Sequence, residues 1–214
     1  MKTKILLSFA IFFCAAITTN AQINEGRYLL GGSASYNSSN GQPYSNPGYS
    51  SLNTNIQFGK VVKDNTVAGV ILSYGYTNNG STNKSNQFNA GVFYRKYKTL
   101  AKNFYFFGEG DVLYSHSTFN QQFDIGNNGY KGISNGGIAS FTPGISYSVC
   151  KRMQMELLMP NLISVSYTGV KTENSIAGTN SIFTTKGHAF SANANFNSNL
   201  LTNFGIGFKF FLGK

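Results

Sequence analysis

Along most of this chain apolar and polar residues take turns, one by one. In residues 27–37 the even positions carry Tyr28, Leu30, Ala34 and Tyr36, against Gly31, Ser33 and Ser35. In 51–60 Leu52, Ile56 and Phe58 face away from Asn53, Asn55 and Gln57, and in 66–77 Val70, Leu72, Tyr74 and Tyr76 oppose Gly69, Ser73 and Gly75. The run 86–97 sets Phe88, Val92 and Tyr94 against Gln87, Asn89 and Arg95, and 104–115 sets Phe104, Phe106, Val112 and Tyr114 against Glu109, Asp111 and Ser115. In 137–150 Ala139, Phe141, Ile145 and Tyr147 oppose Ser140, Thr142, Ser146 and Ser148, and in 153–167 Met155, Leu157, Ile163, Val165 and Tyr167 oppose Gln154, Glu156, Ser164 and Ser166. A last run from His188 carries Phe190, Phe196, Phe204, Ile206, Phe208 and Phe210 on one parity, read as one long strand or as two pieces divided by a turn at 198–203. Successive strand side chains point to opposite faces, so this pattern predicts eight strands, each with one apolar face.

The spacing of the runs adds a topology. Long connections at 38–50, 78–85, 116–136 and 168–187, rich in Asn, Ser and Gly, alternate with short ones near 62–65, 98–103 and 151–152. Strict alternation of long and short links predicts an up-and-down antiparallel order with both ends of the chain on the short-turn side. Lys60, Lys63, Lys96, Lys98, Lys102, Lys151, Arg152, Lys209 and Lys214 gather at that end.

Which environment the apolar face meets is decided by the opposite face. A soluble barrel or sandwich buries its large apolar residues and shows charge to water. Here the polar parity is Asn, Ser, Gly and Gln with few charges, which suits a narrow lumen, while the ring-bearing parity suits lipid and tyrosines often close its stripes. Each run reaches the roughly 9–11 residues a tilted strand needs to cross a bilayer. The expectation is an all-β, closed antiparallel up-and-down transmembrane β-barrel of eight strands. Closure follows because open backbone groups in lipid would each cost several kcal/mol.

Composition and the N-terminus agree with that expectation. Lys2 and Lys4 precede an apolar stretch from Ile5 to Ile17, and Thr19-Asn20-Ala21 ends in a small residue. This predicts a signal peptide over 1–21 and a barrel domain over 22–214, in an exported chain. A lipoprotein reading of Cys14 fails because Ile11, Phe12 and Phe13 are bulky where that processing needs small residues. Removing Lys2 and Lys4 from 17 basic residues leaves 15 against 7 acidic ones. The surplus lies in the short connections and not in a patch beside a helix or aromatic platform, which argues against nucleic acid as a partner. Cys150 remains as a lone cysteine, so no internal disulfide is expected. Helix formers are sparse, and no segment after residue 21 is apolar enough to cross a membrane as a helix.

Several stretches carry a resemblance. The basic turn after Lys60, Val92-Phe93-Tyr94-Arg95-Lys96-Tyr97, Phe107-Gly108-Glu109-Gly110, Pro143-Gly144-Ile145-Ser146-Tyr147 and Phe204-Gly205-Ile206-Gly207-Phe208-Lys209-Phe210 resemble the small outer-membrane β-barrel domain family common in Bacteroidota, as does the Ala21-Gln22 junction. The resemblance runs over 26–211, and the chain departs from it by continuing as Leu212-Gly213-Lys214. It implies a porin-like fold in the outer membrane. The partners it implies are outer-membrane lipid, lipopolysaccharide and the barrel-assembly machinery, around a monomer without cofactor. It implies no shared enzymatic activity.

The residues that could carry chemistry are few. Arg27, Arg95, Glu109, Asp111, Glu156 and Lys209 share the inward parity, and charges removed from water need partners, so a salt-bridge network filling the lumen is expected. An ion or proton path is the sharper alternative. Glu156 and Lys209 lie near the short-turn end of adjacent strands and are expected to pair. A tight hairpin sets Glu109 beside residue 91, which argues against a direct contact with Arg95. Tyr114-Ser115-His116-Ser117 and Gly187-His188 are the only material for an acyl hydrolase, but Ser117 follows His116 on the opposite face and no carboxylate stands at a suitable offset. Isolated histidines and carboxylates show no metal spacing. The function expected is that of a non-enzymatic outer-membrane protein whose surface loops serve envelope integrity, adhesion or ligand contact. A narrow channel or pocket for small or apolar solutes is the alternative, and a soluble secreted β-barrel binder is a third class.

Overall fold

The computed structural model describes residues 23–39, 48–80, 83–122, 129–175, 182–194 and 205–213; the signal peptide expected over 1–21 and the turn weighed at 198–203 lie outside them. Ten strands make up nearly all of the described chain: β1 (Tyr28–Ser39), β2 (Tyr49–Lys63), β3 (Thr66–Asn79), β4 (Asn83–Ala101), β5 (Phe104–Gln122), β6 (Gly129–Cys150), β7 (Met153–Leu158), β8 (Ile163–Ser175), β9 (Ile182–Ala194) and β10 (Gly205–Leu212).

All pairings are antiparallel, and β1 to β6 follow one another up and down. The 22-residue β6 is long enough to carry two partners end to end, β7 against 144–150 and β8 against 129–141. β10 pairs with β7, and β9 with β8. Each pair of short strands therefore takes one position, and β10 pairs with β1 through Tyr28↔Leu212 to Gly32↔Phe208, giving a ring of eight strand positions. In the half nearer the long connections, β1 pairs with β2 and β9 with β8.

The sequence reading places a single strand over 153–167; the structure interrupts it at 159–162. Pro160 has no N–H to give the ladder and Asn161 takes a left-handed conformation (φ 51°) that few side chains other than Asn tolerate. The chain is re-anchored by Met159 N–H to Pro143 O at 3.0 Å and Asn161 N–H to Thr142 Oγ1 at 3.1 Å. All four long connections are also shorter than the pattern suggests, two of them by a wide margin. β5 and β6 extend to Gln122↔Gly129, and β8 and β9 to Ser175↔Ile182. These extensions break the alternation, with Phe119, Tyr130, Val170 and Phe183 on the inward parity and Thr118, Lys131, Lys171 and Lys186 on the outward one, so the pattern cannot reveal them; ladder hydrogen bonds hold them.

The apolar parity is the exposed one. A single row, one residue per strand, runs Leu30, Phe58, Val70, Val92, Val112, Ala139, Val165, Ala192 through consecutive pairings. Val92 is 57% exposed and Val112 63%. Over the half nearer the short turns the other parity is buried inside the ring, and at the short-turn end it is apolar too. Leu29, Val61, Val67, Tyr97, Tyr105, Phe107 and Phe211 form a cluster there with Ile23. Ile23 is drawn in by its carbonyl, which accepts from Asn65 N–H at 2.9 Å, while Gly26 N–H donates to Val61 O at 2.9 Å. The ring of Tyr97 meets Tyr105 edge-on at 6.2 Å and Phe107 at 5.8 Å. This apolar floor is an addition to the sequence reading, which assigned the inward parity to compact polar residues.

Candidate functional site: an ion cluster inside the ring

Next to the apolar floor, on the side of the long connections, the inward parity turns charged. Arg95 of β4 and Glu109 of β5 are direct cross-strand partners, and Arg95 Nε lies 2.6 Å from Glu109 Oε2. The sequence argument against this contact is overturned by the hairpin. The strands run on to Ala101 and Phe104, so the turn at Lys102-Asn103 would set Glu109 opposite residue 96 instead of residue 91, and a one-residue register shift between Thr99 and Ala101 brings it opposite residue 95.

The same guanidinium reaches across the inside of the ring. Arg95 Nη1 donates to Glu156 Oε1 at 2.5 Å and to the Tyr97 hydroxyl at 3.0 Å. Its carbon sits 4.3 Å from the centre of the Phe107 ring, a cation–π distance. Glu156 is on β7, which is separated from β4 by β5 and β6, so this ion pair is a strut and not a neighbour contact. Two further struts run through Gln57 of β2, whose Nε2 donates to Glu109 Oε1 at 2.8 Å and whose Oε1 accepts from Lys209 Nζ of β10. Lys209 Nζ also stands 3.9 Å from Glu156 Oε2, the pairing expected from sequence. Lys209 has room because its cross-strand partner in β1 is Gly31; a Cβ there would lie 2.7 Å from Nζ and overlap the lysine stem.

Burial gives these contacts their weight. Arg95 and Glu156 are each 1% exposed, and Glu109 and Lys209 each 4%. A charge taken that far from water is tolerated only when paired and hydrogen-bonded, and here two cations meet two carboxylates with Gln57 and Tyr97 bridging them. Asp111, two residues nearer the long connections, is a third buried carboxylate. Its Oδ2 accepts from Ser140 Oγ at 3.3 Å, and its Oδ1 has no donor among the described residues.

Of the six residues proposed from sequence, the structure brings Arg95, Glu109, Glu156 and Lys209 into one cluster, with Asp111 at its margin. Arg27 stands apart at the short-turn end, where its Nη1 donates to Lys151 O at 3.2 Å. Sequence reasoning missed Gln57, Tyr97, Phe107 and Gly31 as members. Gln57 was legible as the one long amide on its strand's inward parity; Tyr97 and Phe107 share parity with Arg95 and Glu109, two residues away, but read as strand filler.

The histidines belong to the outward face. His116 Nδ1 is 2.7 Å from Asn135 Oδ1, which also accepts from the Tyr114 hydroxyl at 2.9 Å. His188 stacks on Tyr167 with ring centres 5.8 Å apart and 9° between planes. Ser115 and Ser117 lie on the opposite parity, so neither histidine has a serine beside it on its own strand. Among the described residues no group of three or more His, Cys, Asp or Glu could hold a metal ion. Chemically, the cluster is equipped to tie distant strands together and to fill the inside of the ring. No protein-family model matches this chain, and no curated protein matches it significantly.

Proposed function

We propose that this chain is a non-enzymatic transmembrane β-barrel of a bacterial outer membrane, closed along β1 and β10 and shut to solutes by its internal ion cluster. On this reading residues 1–21 direct export, and the Asn-, Ser- and Gly-rich long connections act at the cell surface. One observation carries the reading: the polarity of the ring is inverted, with an unbroken apolar row outward and Arg95, Glu109, Glu156 and Lys209 buried within. Water outside would make that arrangement unstable, because the large apolar side chains would be solvated while charges paid desolvation. Lipid outside makes it favourable.

The interior supports a plug over a pore. About eight strands leave a space that side chains can fill. Here the apolar floor and the struts from β2, β4, β5, β7 and β10 occupy it at the short-turn half. The test is planar-bilayer recording of the purified protein together with cell fractionation and gel migration with and without heating. Detergent-dependent recovery, heat-modifiable migration and electrical silence are the expected results. Sustained conductance steps would replace the plug with a narrow channel, and recovery in the periplasm without detergent would end the membrane reading altogether.

A further inference from the structure

The outward face of β6, β8 and β9 changes character along its length. Reading rows across the three strands toward the long connections, Phe141–Ile163–Ala194 and Ala139–Val165–Ala192 come first, then Gly137–Tyr167–Phe190 and Asn135–Gly169–His188. The next row is Ile133–Lys171–Lys186, and beyond it Lys131 stands opposite Glu173. Apolar surface thus gives way to the stacked Tyr167–His188 pair and then to three lysines.

Lys171 and Lys186 are direct cross-strand partners, an arrangement that is unfavourable between like charges unless an anion comes between or beside them. Glu173 answers part of this charge: its Oε1 is 2.8 Å from Lys171 Nζ, with both side chains about half exposed. The hydrogen bond from Lys171, then its charge, with Lys131 adding to them, hold the Glu173 carboxyl below its ordinary value. Three lysines against one glutamate leave a surplus. Between Lys171, Lys186, Asn135 and His188 the surface forms a shallow cleft of about 190 Å³. Directly below it on β6, Gly137 and Ala139 leave a lane of low relief between Tyr114 and Val112 of β5 and Tyr167 and Val165 of β8, while on β9 the exposed Phe190 separates the cleft from Ala192 and Ala194.

We propose that this face binds an anionic lipid, with a phosphate of the headgroup between Lys171 and Lys186 and an acyl chain along the small-residue lane. The proposal rests on the membrane reading above. Charge complementarity selects the phosphate, the like-charged pair supplies two donors at one spot, and the Tyr167–His188 level marks the boundary at which a headgroup sits. A soluble phosphate meets only the upper half of this surface, whereas a lipid meets both.

The experiment uses the full chain purified in detergent, titrated with a fluorescent bis-phosphorylated lipid A and with its dephosphorylated form, inorganic phosphate serving as competitor. The phosphorylated lipid is expected to bind roughly tenfold tighter or more. The Lys171→Gln, Lys186→Gln double variant loses that margin, Lys171→Arg with Lys186→Arg retains it, and Lys84→Gln on the outward face of β4 retains it. Equal binding of the two lipids by the wild-type chain, an undiminished margin in the Gln double variant, or displacement of the lipid by an equal concentration of inorganic phosphate would overturn the proposal. Heat-modifiable migration of the same samples separates this failure from that of the membrane reading. A chain that migrates as a folded barrel but shows no margin sinks only the lipid site.

Discussion

Arg95 and Glu109 face each other across β4 and β5 with 2.6 Å between Nε and Oε2, and the same guanidinium ends 2.5 Å from Glu156 three strand positions away. One side chain therefore serves two carboxylates from different parts of the wall. Removing it leaves two buried anions with Lys209 as their nearest remaining cation.

This arrangement predicts an asymmetric mutational response. Arg95→Met is expected to destabilise the folded state by about 3–5 kcal/mol, the usual result of breaking a buried ion pair from one side. Arg95→Met combined with Glu109→Gln removes one cation with one carboxylate, leaves Glu156 to Lys209, and is expected to recover most of the loss. Urea unfolding in lipid vesicles, followed by tyrosine fluorescence, gives the comparison. A double variant no more stable than Arg95→Met would show that the carboxylates are solvated and not held in a dry cluster.

Much of the wall was legible from the chain alone, because the feature that organises it is local: Phe58, Val70, Val92 and Val112 each stand one residue from a small or polar neighbour. Their exposure follows from parity without knowledge of any partner. The register was harder. The turn Lys102-Asn103 is flanked by Lys98, Thr99, Leu100 and Ala101, which do not alternate, and a shift of a few residues there decides whether Glu109 meets Arg95. The struts were out of reach for a related reason. Gln57 to Glu109 and Lys209 to Gln57 join residues 52 and 152 apart in sequence, and only the curvature of the ring brings them together. The break at 159–162 was available in Pro160-Asn161, but the matching parity of Leu157 and Ile163 on its two sides hid it.

Packing inside β2–β4 yields a second prediction. Gly59 and Gly69 are cross-strand partners under the Phe93 ring. A Cβ at Gly59 would lie 2.9 Å from Phe93 Cζ and 2.9 Å from Val67 Cγ1, with Ala68 O at 3.0 Å, whereas one at Gly69 would run first into Phe58 O and the Gly59 backbone and only then into Phe93 Cε1 at 2.8 Å. Gly59→Ala is expected to cost about 1–3 kcal/mol through overpacking, and Phe93→Leu in the same chain to relieve part of it. Gly69→Ala should cost more, and Phe93→Leu should relieve a smaller share of it, because the closest overlaps there are with Phe58 O and the Gly59 backbone and persist without the ring. Double-mutant cycles in the urea assay check this, and recovery of the larger part of the Gly69→Ala loss by Phe93→Leu would contradict the contacts.

The plug makes a third prediction, in electrical terms. Phe107 is fully buried, and its ring lies under the Arg95 guanidinium, so the two seal the same level of the interior. Phe107→Ala with Arg95→Ala, Glu109→Gln, Glu156→Gln and Lys209→Gln opens that level and leaves none of the cluster's four charges stranded. The wild-type chain is expected to be silent in planar bilayers and this variant to show discrete steps. Silence in both, with heat-modifiable folding intact, would locate the seal elsewhere, whereas steps in the wild-type chain would make the cluster a conducting path.

The outward row offers the sharpest test of the environment. Val92 is 57% exposed and lies between Val70 and Val112 in the middle of the apolar row. If that row meets hydrocarbon, Val92→Arg must place a charge near the centre of a bilayer, at a cost of about 2–4 kcal/mol. Asn89→Lys, on the inward parity of the same strand and nearer the long connections, puts its charge toward a wet mouth and should cost less than about 1 kcal/mol. The order reverses if water lies outside, because Val92→Arg would then be an ordinary surface change while Asn89→Lys would press a cation into the core. Refolding yield into vesicles of both variants, read against the wild-type chain, therefore reports the sign of the polarity directly. A Val92→Arg chain that folds in detergent-free buffer as well as the wild type would leave the lipid-facing assignment without support.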